Sequence, residues 1–144
     1  MSPSTTSTSS ADETAAAHQR LFEEGLKIRY EVAGTGYVDA ALKAGASAFA
    51  RPMQELVTEA CWGSVWSRPG LERKQRSLLN IAMLCALNRG PELAVHVRGA
   101  VNNGASETEI RETLLQVAIY CGMPAGLEGF KIAEKVINEI KAAS

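Results

Sequence analysis

With 144 residues, the chain can fold as one domain around a buried core, and 46% apolar content is ordinary for such a domain. Fifteen basic against sixteen acidic side chains, a net charge of -1, leave no cationic excess to attract nucleic acid or an anionic membrane. The longest strongly apolar run, Ile81 to Leu87, is far too short to span a bilayer, and the N-terminus lacks the pattern of a secretory or transit signal.

Residues 1–10 are almost all Ser, Thr and Pro, too polar to bury anything, and read as a disordered tail before a single domain at 11–144. A helical period with Leu21, Leu26 and Ile28 runs from Ala11 to about Val32, and Gly34-Thr35-Gly36 ends it. A short helix is expected over Val38–Ala44. A longer one follows over Ser47–Trp66, with Pro52 in or near its first turn. After the Ser67–Gly70 turn comes Leu71–Asn88, whose second half is apolar nearly all round and must be enclosed by other helices.

Pro91 suits the first turn of a helix to Asn103, where Asn103-Gly104 supplies a left-handed stop. Ser106 and Glu109 have capping-box spacing and open Glu107–Cys121. Pro124 starts the last helix, to about Lys141. No alternating strand pattern appears, so the fold class is all-α, a compact bundle of about six helices. Its broad apolar surfaces imply a homo-oligomer.

Cys61, Cys85 and Cys121 are odd in number and contain no C-x-x-C. That pattern points to reduced thiols in the cytoplasm, small and buried, and away from disulfides or a zinc cage. With two histidines, a metal site would need mostly carboxylates, and no metal is expected.

The chemistry concentrates between Glu59 and Gly104. His96 shares a helix face with Leu93, Gly99 and Ala100, and the small Gly99 is expected to leave room beside the ring. Glu92, one turn earlier, is expected to orient the imidazole. The bland alternative is a core histidine satisfying a hydrogen bond, with Glu92 complementing the helix N-terminus. Arg68, Arg73, Arg76 and Arg98 are candidate carboxylate ligands, because a guanidinium grips a carboxylate with two parallel bonds; a solvated face with ordinary ion pairs is the competing use. Trp62 and Trp66, four apart, are expected to stack; core packing is the commoner role of such a pair, a pocket wall the rarer.

The segments CWGSVWSRPGL, HVRGAVNNG and LLQVAIYCGMPA closely resemble the carboxymuconolactone decarboxylase family, with similarity from about Gly25 to Ile140. The resemblance implies an alkylhydroperoxidase-D-like helical fold assembled as trimers or hexamers. Peroxide-reducing relatives carry C-x-x-C before the histidine; Arg89 and Glu92 occupy those positions here, which removes dithiol chemistry, and Ser77 falls near their acidic residue.

By similarity, the decarboxylase branch acts without a cofactor on 4-carboxymuconolactone. Its lactone carbonyl receives the electrons left by carbon dioxide as a dienolate, and His96 would return the proton. Compared with bacterial relatives, Tyr30, Thr35, Ala40 and Ala94 replace Arg, Asp, Arg and Arg. The loss of cations points to another small acidic lactone or cyclic enone as an alternative substrate. Isomerisation or ring rearrangement in a biosynthetic route is an alternative reaction, and a non-catalytic helical oligomer that binds an acidic metabolite is a third reading.

Overall fold

The computed structural model describes residues 6–144, and every regular element among them is a helix. In chain order these are α1 (Thr6–Ala33), α2 (Thr35–Ala44), α3 (Arg51–Leu56), α4 (Arg73–Ala86), α5 (Gly90–Asn102), α6 (Glu107–Cys121) and α7 (Met123–Ala142). α3 runs on without a break as a π-helix over Val57–Val65. The all-α reading holds. α1 reaches back to Thr6, inside the segment that composition reads as a tail; residues 1–5 lie outside the described residues. None of the described helices is long and apolar enough to cross a membrane.

The chain forms two compact units: residues to Tyr30 with Val38–Arg68, and Glu31–Tyr37 with Pro69–Ser144.

In the first unit, α1 crosses the π-helical segment at two glycines. A Cβ on Gly25 would meet the Thr58 carbonyl oxygen and stand 2.7 Å from the Gly63 nitrogen. One on Gly63 would meet the backbone of Leu21. Only glycine lets two backbones approach so closely. Pro52 sits in the first turn of α3, where its missing N–H costs nothing. From Val57 the turns widen, and the segment closes with Trp66 N donating to Cys61 O at 3.0 Å.

The second unit packs α4 to α7 around Ile81, Leu93, Val97, Ile110, Leu114 and Val136. Each large side chain among them contributes about 1.5–3 kcal/mol by leaving water. Local signals set the ends of these helices. Ser106 Oγ accepts from Glu109 N at 3.1 Å while Glu109 Oε2 accepts from Ser106 N at 2.8 Å, the reciprocal cap read from spacing. Gly104, at φ 87°, stops α5 as its left-handed terminator.

The expectation that α4 is enclosed all round is met only on one side. Ile81 and Cys85 are buried, but Leu79 and Met83 are about half exposed, and Ile119 and Tyr120 on α6 are mostly exposed. Between α4 and α6 lies an apolar groove of about 800 Å³.

Candidate active site

α5 carries His96 in the second unit. Leu93, Val97 and Ala100 turn into the core, which rotates the helix so that His96 faces α4. There Asn80 Nδ2 stands 3.3 Å from His96 Nδ1. With the amide nitrogen facing it, Nδ1 accepts, and the neutral ring carries its proton on Nε2. Burial pushes the imidazole below its ordinary value of 6.5, because the cation loses hydration.

Glu92, expected to orient this ring, is exposed in the first turn of α5. Burial, not a carboxylate, sets the direction of the imidazole's shift, and Asn80 supplies the partner. Gly99 does not open space beside the ring. It receives Val32, whose Cγ1 would stand 3.1 Å from a Cβ there. Asn102 Nδ2 holds the Val32 carbonyl at 2.8 Å and fixes that contact.

The arginines divide. Arg76 is half-buried on α4, one turn before Asn80 and on the same face. Arg73 donates to Glu31 at 2.7 Å, both partly exposed, the ordinary ion pair of the competing reading. Arg98 points the other way from His96 and donates to Glu139 on α7 at 3.0 Å. Buried Ser77 accepts from Asn103 Nδ2 at 2.8 Å and ties the start of α4 to the end of α5.

Trp62, Trp66 and Arg68 belong to the first unit. The two indoles are both 5% exposed, with ring centroids 4.9 Å apart and planes tilted by 30°, the packing use of such a pair. Arg68 is exposed. Cys61 is pushed up by burial, with Arg29 and Trp66 acting against that shift, so its thiol stays protonated at neutral pH. Among the described residues, no three His, Cys, Asp or Glu side chains cluster as metal ligands do.

Two polar residues escaped the sequence reading. Asn80 interrupts an apolar run, Leu78 to Leu84, and that interruption is the signal. Arg29 sits between Ile28 and Val32 on the apolar side of α1, and it is only 4% exposed.

Residues 51–135, which include Asn80 and His96, match the family model described as the carboxymuconolactone decarboxylase family. The chain belongs to that family. It is 50% identical over 123 residues to nitrosuccinic acid decarboxylase of Metarhizium robertsii, covering 85% of each chain. It is also 38% identical over 125 residues to 4-carboxymuconolactone decarboxylase of Acinetobacter baylyi, covering 87% of this chain and 92% of that one. Arg89, Glu92 and His96 all lie within the matched residues.

Proposed function

We propose that the chain is a carboxy-lyase for a small dicarboxylic acid whose departing carboxylate sits beside a strong electron sink, with nitrosuccinic acid as the leading substrate. The 50% identity to a nitrosuccinic acid decarboxylase carries this choice. In nitrosuccinate, the bond from the nitro-bearing carbon to its carboxylate breaks, carbon dioxide leaves, and the electron pair moves into the nitro group as a nitronate. A proton returned to that carbon gives 3-nitropropanoate. The same balance describes 4-carboxymuconolactone, with the conjugated lactone carbonyl as the sink. That second reading rests on the 38% identity.

His96 is the proton donor in either case. Its depressed pKa keeps the free imidazole neutral near pH 7. A bound dianion beside the ring raises that pKa again, so the proton arrives with the substrate. Asn80 is a positioning residue acting through Nδ1, and Arg76 on the same face of α4 is assigned a substrate carboxylate. The exposed apolar faces of α4 and α6 support association into a trimer or hexamer, which light scattering of the purified chain measures.

The test is carbon dioxide release from each acid, with the product followed by proton NMR. Nitrosuccinic acid should turn over well above its spontaneous rate, and His96→Gln should lower turnover by about 10²–10⁴-fold while leaving the helical signal intact. Turnover of 4-carboxymuconolactone alone would select the second substrate. Stabilisation by both acids without carbon dioxide from either would make the chain a binding protein and refute the lyase reading.

A further inference from the structure

Arg29 of α1 is a buried cation that faces no carboxylate among the described residues. It is 4% exposed, and its Nη1 donates to a neutral hydroxyl, Thr58 Oγ1, at 3.2 Å. Its Nε is buried with no hydrogen-bond partner, and no carboxylate among the described residues pairs with it. A guanidinium stays charged at any physiological pH, so this charge has been taken out of water without a counter-ion.

Neighbouring groups do not supply one. The Cys61 thiol is held protonated by burial. Glu59 is engaged at 2.7 Å by His18. Gln54, whose Oε1 is also buried and without a partner, adds an acceptor but no charge. Nor does the fold need the contact for Thr58, whose hydroxyl already donates to Gln54 O at 2.7 Å. The close crossing at Gly25 and Gly63, one turn away, places Arg29 against the π-helical segment. Helices with i→i+5 bonding recur at functional sites.

We propose that Arg29 is the anchor of a carboxylate-binding subsite within the first unit, built with Thr58. The ligand is a small organic acid. One of its carboxylates takes the free Nε edge of the guanidinium while Thr58 keeps Nη1 in place. This subsite stands on the first unit alone and does not depend on the lyase chemistry assigned to His96.

Succinate is the probe, because it offers carboxylates and does not react. Calorimetric titration of the full chain should show saturable binding beyond the effect of sodium chloride at matched ionic strength. Arg29→Met should weaken it by about 10–100-fold, and Arg29→Lys should fall between, since an ammonium cannot present a fork. Without ligand, Arg29→Met should melt at or above the parent, because an uncompensated buried charge has been removed and no partner is orphaned. In the unsubstituted chain, the Arg29 Nε–H resonance should move downfield on adding succinate.

The proposal is overturned if succinate acts no differently from sodium chloride, if Arg29→Met binds it as the parent does, or if the Nε–H resonance stays still. An Arg29→Met chain that fails to fold, or melts well below the parent, makes the guanidinium a structural strut and overturns it equally. Succinate binding at Arg29 in a chain that releases no carbon dioxide from either acid would sink the lyase reading and leave this one standing.

Discussion

Replacing Gly25 by alanine, compared with the same change at Gly36, asks whether backbone proximity holds the first unit together. Both glycines are helical, and in a helix alanine is favoured over glycine by about 1 kcal/mol. At Gly36 nothing lies within 4 Å of the new Cβ, so that preference acts alone. At Gly25 the new atom stands 2.7 Å from the Gly63 nitrogen and meets the Thr58 carbonyl oxygen, against about 3.4 Å or more in ordinary packing. The obstacles are backbone atoms, which cannot rotate aside, so α1 and the π-helical segment must part by more than half an ångström. Overpacking of this kind costs about 1–3 kcal/mol, and the rigid obstacle places Gly25 at or beyond the upper end.

Gly25→Ala should therefore lower stability by about 2 kcal/mol net or more, roughly 4–8 °C or more in Tm for a chain of this length, while Gly36→Ala holds or raises it. Differential scanning calorimetry reads both. A Gly25→Ala chain that melts at or above the parent would show that the close crossing does not carry the unit, and the account of Arg29's placement would go with it.

Asn80→Asp sets a carboxylate against His96 Nδ1 and should raise the imidazole's pKa, so the fall of kcat/KM with rising pH moves to higher pH; an unmoved profile separates Asn80 from the proton donor. Because the folded pKa of His96 lies below its ordinary 6.5, the unfolded chain takes the proton first. Stability is then intact above about pH 6.5 and declines as pH falls from there through the folded value. Urea titrations in His96→Gln should show that part of the decline removed, and an unchanged slope would count against a buried ring. Arg98→Gln breaks only a part-exposed pair with Glu139, so Tm should change by less than about 1 kcal/mol equivalent and turnover by less than about twofold. A tenfold loss of turnover would return Arg98 to the active site.

The ends of the helices were legible because their causes are local. Pro52, Pro91, Ser106 with Glu109, and Gly104 each act on backbone groups within about four residues. The family motifs around His96 were legible for a related reason, being contiguous along the chain. Which residue meets which was not. Asn80 reaches His96 across sixteen positions, and Val32 takes the space at Gly99 across sixty-seven.

Rotation of α5 about its axis, set by burying Leu93, Val97 and Ala100, sends His96 toward α4 and Arg98 toward Glu139, and no spacing rule gives that angle. The burial of Arg29 had the weakest trace of all. A charge among apolar neighbours looks the same in sequence whether its head reaches water or not, and only the approach of the Thr58 segment, permitted by Gly25 and Gly63, closes water out. Local signals determined the helices, and contiguous motifs the family; helix rotation and crossing distance, long-range packing quantities, decided which polar groups meet which.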